Sequence, residues 1–173
     1  MFSDLFYQLW DKGEFLRAIW ETVYMTLLST LVAYGIGLPL GIVLNVTSKG
    51  GLHPQRGLNA ALGFLVNIFR SIPFIILMVA MLPVAKFVVG TSLGNRAVIV
   101  TLVIAAAPYV ARMVESAAKE VNAGVIEAAQ SMGASTLRII WKVIIPEIKP
   151  GIVSGALTAF TMSIDDFVIS YFT

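Results

Sequence analysis

The sequence of 173 residues contains no cysteine and a single histidine, His53. Disulfides and thiolate metal sites are therefore excluded, and so is a cluster of histidine ligands. Charged residues make up only 13% of the chain, against roughly 25% in soluble domains, and 58% of the residues are hydrophobic. A soluble fold could not cover this much apolar surface, so the composition predicts a polytopic membrane protein.

Two further features are missing. No P-loop is present, so the chain has no recognisable nucleotide site or cofactor site of its own. The net charge of +2 comes from basic residues spread along the chain, a distribution that argues against a nucleic-acid partner. The first residues lack the basic leader and cleavage site of a signal peptide, and Met1–Glu21 is predicted to be an amphipathic helix at the membrane surface.

Apolar segments long enough to cross a bilayer set the predicted architecture. We predict one all-α transmembrane domain over residues 1–173, with spans at about 22–46, 71–89, 97–113 and 150–173. In the first span, small residues would let a neighbouring helix approach closely: Gly35, Gly37 and Gly41. Arg96 and Arg112 are expected to snorkel at the two ends of the third span.

The second span allows two interpretations because Arg70 interrupts it. Residues 58–69 lie flat at the interface with Arg70 at the membrane boundary, or one long helix kinks at Pro73 and carries Arg70 into the membrane. An unpaired arginine at bilayer depth costs several kcal/mol, and this favours the first interpretation. Lysine and arginine are more frequent in the first loop and in residues 119–149, so both are predicted to be cytoplasmic.

The polar stretch before the last span predicts two short helices. Gly133 is a natural helix stop, and Ser135 or Thr136 can cap a second helix that Pro146 would end. The predicted flat face of the first helix comprises Ala128, Ala129, Met132 and Gly133. The predicted apolar face of the second comprises Leu137, Ile140, Trp141 and Ile144, with Arg138 and Lys142 on another side. The pattern alone fits a membrane-surface anchor equally well.

The spacing of Glu127-Ala128-Ala129, Gly133 and Ile145-Pro146 resembles the EAA loop of bacterial ABC importer permeases. The resemblance implies that residues 119–149 form a cytoplasmic coupling segment that docks on a separate ATPase subunit, which binds the ATP. Glu127 would contact the ATPase or cap the coupling helix, and Ala128 and Ala129 would allow close approach. Gly133 would form the turn and Pro146 would fix the exit.

Residues 1 to about 136 look like the methionine importer permease, most clearly at 69–77 (FRSIPFIIL), 89–92 (VGTS) and 124–135 (GVIEAAQSMGAS). From about Trp141, and clearest at 159–173, the chain looks like a spermidine/putrescine importer permease. The resemblance implies a type I ABC importer permease fold with five core spans, so a fifth is expected beyond the four visible here. It implies a bacterial inner-membrane homodimer, an extracytoplasmic binding protein and transport of D- or L-methionine, with a polyamine as the alternative substrate.

Three charged residues are candidates for the translocation pathway: Arg70, Asp165 and Asp166. Counted from Pro150 at 1.5 Å per residue, the aspartates lie roughly 22–24 Å along the last helix. They either line a path that attracts cations or mark a hydrated helix end at the outer interface. Most of the seven methionines lie in apolar segments and are expected to be packing residues.

Overall fold

The computed structural model describes the backbone over residues 13–172, without the side chains of residues 14, 15, 163 and 166–172. The helices are α1 (Glu14–Thr47), α2 (Arg56–Ser71), α3 (Phe74–Val89), α4 (Asn95–Lys119), α5 (Ala123–Ser131), α6 (Thr136–Ile139), a π-helical turn (Ile140–Ile144), α7 (Ile145–Glu147) and α8 (Lys149–Phe172). Most of the predicted N-terminal surface helix lies outside the described residues.

Within the described part of the chain, two helices are long and apolar enough to cross a membrane: Leu16–Thr47 and Asn95–Lys119. The number rises to four if each of two bent pairs counts as one span. The pairs are α2 with α3, bent by 115°, and Thr136–Glu147 with Lys149–Met162, bent by 65°. Helices therefore occupy all four predicted spans, and α8 begins one residue before Pro150.

The elbow between α2 and α3 excludes a continuous helix for the second span. It does not place Arg70 at the membrane boundary, because Arg70 shares a cavity with Ala106 in the middle of α4. Ile72 and Pro73 have extended ψ angles of 126° and 138°, because the proline ring disfavours helical geometry in the residue before it. One long helix kinked at Pro73 is therefore wrong. The predicted span at 71–89 also needs correction, since α3 has 16 residues and meets the length of a span only together with α2.

Helix α4 is the centre of the bundle, packed against α1, α2, α3 and α8. It runs parallel to α1: Asn95 Nδ2 donates to Glu21 Oε2 at one end (3.2 Å), and Gly41 packs against Val114 near the other. The prediction of close approach is confirmed for Gly37 and Gly41, where an added Cβ would lie 2.7 Å from the Cβ atoms of Val110 and Val114. Gly35 has nothing within 4 Å of that position.

A long-range hydrogen bond joins α8 to α1. The Tyr34 hydroxyl donates to the carbonyl oxygen of Ile152 at 2.6 Å, beside Gly155, which leaves room for it. We expect Tyr34→Phe to lower the free energy of unfolding by about 1 kcal/mol, because the phenyl ring keeps the packing and loses only the bond. Unfolding in mixed micelles followed by circular dichroism measures this, with the exposed Tyr24→Phe as control. Equal losses in the two variants would contradict it.

Candidate functional site

Helix α5 carries the Glu-Ala-Ala motif and has defined caps at both ends. The Asn122 side chain accepts a hydrogen bond from the Gly124 N–H (2.8 Å) and so caps the first turn. At the other end Gly133 has a φ of +75°, and the N–H groups of Gly133 and Ala134 bond back to the carbonyls of Gln130 and Ala129. This is a glycine C-terminal cap, so the predicted helix stop at Gly133 is confirmed. Asn122 caps this helix and no acidic residue lies in its first turn, so the predicted capping role for Glu127 is wrong.

The two alanines of the motif differ in burial, although they are adjacent on α5. Ala129 is buried in the main core with Val110, Val114 and Ala118 of α4, whereas Ala128 is exposed. The single flat face predicted for Ala128, Ala129, Met132 and Gly133 is therefore wrong, because a turn of about 100° per residue separates adjacent side chains. The exposed apolar stripe of α5 comprises Val125 (51% exposed), Ala128 and Met132 (82%).

The segment after Gly133 begins as predicted and then departs from the predicted register. Ser135 Oγ accepts a hydrogen bond from the Arg138 N–H, so the predicted cap at this position is confirmed. The π-helical turn Ile140–Ile144 then changes which side chains face the core. Ile139, Ile144 and Ile148 are buried.

Leu137 and Trp141, which were predicted for the apolar face, are 69% and 66% exposed. Pro146 does not end the helix, because α7 continues to Glu147 and the break comes at Ile148. Pro146 has no N–H to donate to the preceding turn, and its ring would collide with a carbonyl there. The wider π turn is found directly before it, where it relieves this conflict.

The first loop packs against the coupling segment, defined here as residues 119–149. His53 Nε2 lies 2.8 Å from Thr136 Oγ1, at the start of α6. A cavity of about 420 Å³ separates this loop from α5, and Glu127, Gln130 and Lys119 line it together with Ser48 and Gly51. Glu127 thus faces a polar recess that contains a lysine.

Arg112, Glu115 and Lys119 form a charged network that the sequence analysis did not identify. Glu115 is 4% exposed and accepts from Arg112 Nη1 (2.5 Å) and Lys119 Nζ (2.6 Å). Arg112 Nη2 also donates to the Gly63 carbonyl (3.1 Å) and Asn67 Oδ1 (3.0 Å) of α2. The predicted snorkelling of Arg112 is wrong, because the side chain finds a carboxylate and two acceptors inside the bundle. The i, i+3 and i, i+4 spacing of opposite charges was the available signal.

Arg70 lies at the elbow between α2 and α3. Its guanidinium carbon is 5.7 Å from the ring centroid of Tyr109 in α4. A cavity of about 340 Å³ adjoins it, with Met162 of α8 on another wall. Asp165 is exposed, one helical turn beyond Met162, and is not among the lining residues. The side chain of Asp166 lies outside the described residues, and no ion pair joins Arg70 to Asp165.

Comparison with known proteins agrees with this architecture. Residues 37–173 match the family described as "binding-protein-dependent transport system inner membrane component". The chain is 52% identical over 140 residues to the probable D-methionine transport system permease protein MetI of Vibrio cholerae serotype O1, covering 81% of this chain and 62% of the relative. It is 51% identical over 145 residues to the methionine import system permease protein MetP of Bacillus subtilis strain 168, covering 84% and 65%.

Among solved structures, the fold is similar to a chain from the inward-facing MetNI methionine ABC transporter (SeMet-soaked crystal form). The TM-score is 0.87 at 43% identity, over 90% of this chain and 72% of that one. The chain spans about two thirds of the length of the curated relatives it matches. The family match covers most of the chain and includes α5. The chain therefore belongs to the family of inner-membrane components of binding-protein-dependent transport systems.

Proposed function

We propose that this chain is the transmembrane permease subunit of an ABC importer that carries D- or L-methionine across the bacterial inner membrane. The methionine assignment rests on the relatives from Vibrio cholerae and Bacillus subtilis, whose names specify that substrate. In this proposal residues 1–173 are one membrane domain without a cofactor, and a partner ATPase binds the ATP. A second permease copy and an extracytoplasmic binding protein complete the assembly.

The observation that supports coupling is the division of α5 into an anchored face and a free face. Ala129 is packed into a core that also contains Val114 of α4 and Ala159 of α8. Beside it on the helix surface, Val125, Ala128 and Met132 form one exposed stripe. A short helix that the core holds through Ala129 and that exposes an apolar stripe suits docking into a groove on another protein.

The same packing suggests how a pull on α5 reaches the membrane. Ile139, Ile144 and Ile148 share the core with Val110 and Ala118, so the coupling segment, α4 and α8 are packed as one unit. Closure of an ATPase dimer would displace this unit relative to its second copy. ATP drives the change only by binding one of the two states more tightly than the other.

The test is the charge reversal Glu127→Lys in the exposed part of α5. We expect binding of the MetNI ATPase subunit to weaken by about tenfold or more, because a reversed charge at the rim of a docked helix opposes the partner's field. Membrane insertion is retained, since Glu127 has no ion-pair partner among the described residues. Co-purification in detergent and ATPase activity after reconstitution measure the effect.

Glu120→Lys is the matched control. Glu120 is exposed, and Glu120→Lys changes the charge by the same amount as Glu127→Lys. Glu120 is the C-terminal cap residue of α4, where a lysine interacts favourably with the helix dipole. Equal loss of ATPase binding in both variants would indicate a general charge effect. Wild-type coupling in Glu127→Lys would count against docking through this part of α5. No complex with the unmodified chain would favour the alternative of a membrane anchor without transport.

A polyamine is the second candidate substrate, and the exposed carboxylate of Asp165 in α8 favours it. Arg70 argues against a polyamine. Its guanidinium borders a cavity that Met162 of α8 also lines, one helical turn from Asp165, and a cation there repels polycations. Uptake of labelled methionine by the reconstituted importer, in competition with putrescine, decides between the two substrates. If putrescine competed at the same concentration as unlabelled methionine, the methionine assignment would be overturned.

A further inference from the structure

We propose that the cavity at the α2–α3 elbow is a binding site for the carboxylate end of an amino acid, with Arg70 as its anchoring cation. This inference rests on the proposed import function and adds a substrate site within the membrane domain. The cavity, of about 340 Å³, lies between the elbow, α4 and α8. Its charged and polar side chains are Arg70 and Tyr109, and its apolar wall includes Phe69, Phe74, Leu77 and Met162.

The depth of the cavity suits a transported ligand. Ala106 lines it and lies 11 residues from Asn95 and 13 from Lys119, about 16 and 20 Å from the two ends of α4. The cavity therefore adjoins the middle of α4, which is long and apolar enough to span a bilayer. In secondary transporters, substrate sites are found near the midplane where a helix is interrupted, and the elbow is an interruption of the same kind.

Arg70 supplies the chemistry. An arginine at this depth is expensive unless a partner or a water-filled path satisfies it. No carboxylate of the described side chains forms an ion pair with Arg70, and its described neighbour is the face of Tyr109. Stacking on the ring orients the planar guanidinium and leaves its N–H groups available, and their fork geometry matches a carboxylate.

The wall around Arg70 fits the rest of such a ligand. Helix α3 begins at the cavity, and Phe74 and Leu77 of its first turn line it. The positive end of the helix dipole therefore adds to the positive potential of Arg70. Phe69 and Phe74 provide aromatic surface that accepts an aliphatic or thioether side chain. The site is thus predicted to take a zwitterionic amino acid with an apolar side chain, and to reject a ligand that carries only positive charge.

The experiment is a titration of the chain in lipid nanodiscs with L-methionine, followed by NMR saturation transfer. Methioninol, which has no carboxylate, and putrescine serve as competitors. We expect saturable L-methionine binding that Arg70→Gln weakens by tenfold or more. Methioninol is expected to compete at least tenfold less well than L-methionine, and putrescine not at all. Arg70→Lys retains part of the affinity, because it keeps the charge and loses the fork.

Lys86→Gln is the matched control, since it removes one exposed cation from the last turn of the same helix α3, away from the cavity. We expect it to bind L-methionine as the unmodified chain does. The proposal is overturned if methioninol competes as well as methionine, if Arg70→Gln binds normally, or if the unmodified chain binds no amino acid. Arginine-dependent binding without an ATPase complex would support the site and contradict the proposed importer function, so the two failures are distinguishable.

Discussion

Replacement of Glu115 by leucine is expected to lower the free energy of unfolding by about 3 kcal/mol, because it removes the only described carboxylate partner of Arg112. Glu115 is 4% exposed and joins two cations, and the side chain of Arg112 is itself 24% exposed. Arg112 keeps two neutral acceptors on α2, which do not compensate its charge. Unfolding in mixed micelles, followed by circular dichroism, measures the loss.

Two further variants separate the loss of the ion pair from a loss of shape. Lys119→Met removes the partner whose side chain is 54% exposed, and its expected cost is below about 1 kcal/mol, since a hydrated ion pair contributes little. Arg112→Met combined with Glu115→Leu removes both buried charges and is expected to regain most of the stability. A Glu115→Leu variant as stable as the unmodified chain would show that the network does not hold α2 to α4.

Gly41→Ala is expected to cost about 1–3 kcal/mol, although alanine is the better helix former. Its Cβ would lie 2.5 Å from the carbonyl oxygen of Ala111 and 2.7 Å from Val114 Cβ, so α1 and α4 must move apart. The Ala111 carbonyl belongs to the backbone and cannot move aside as the end of a flexible side chain can. Moving α1 away from α4 would also loosen the close contact at Gly37. The same mixed-micelle unfolding assay measures the cost.

Gly35→Ala provides the matched control for this substitution. It adds the same methyl group to the same helix, at a position with nothing within 4 Å. We expect it to be neutral or slightly stabilising, because alanine reduces the backbone entropy lost on folding. If Gly41→Ala and Gly35→Ala were equally stable, the close contact between α1 and α4 would be wrong.

Much of the fold could be predicted because local physics determines it. The all-helical permease class is confirmed by the family match and the structure. Uninterrupted apolar length predicted α1, α4 and α8, and glycine and serine predicted the cap residues Gly133 and Ser135. The coupling role of Glu127, Ala128, Ala129, Gly133 and Pro146 stays a prediction.

The errors about which side chains of the coupling segment are buried have a common cause, which is that helix faces were assigned from ideal periodicity. Leu137 and Trp141 share a face with Ile144 only in a regular α-helix, and the π-helical turn before Pro146 changes that register. Ala128 and Ala129 are adjacent in sequence, yet one faces solvent and the other the core. Only the tertiary packing determines which of them is buried.

By itself, the sequence determined that this chain is a helical membrane protein, where most of its helices lie, and which family motif it carries. These properties depend on apolar length, on glycine and proline, and on residues close together in the chain. The tertiary structure decided the 115° elbow, the burial of Glu115 between Arg112 and Lys119, and the position of Arg70 against Tyr109. The elbow angle and the contact between Arg70 and Tyr109 depend on how separate helices pack. Neighbouring helices also bury the Glu115 carboxylate, so residues far apart in sequence decide all three features.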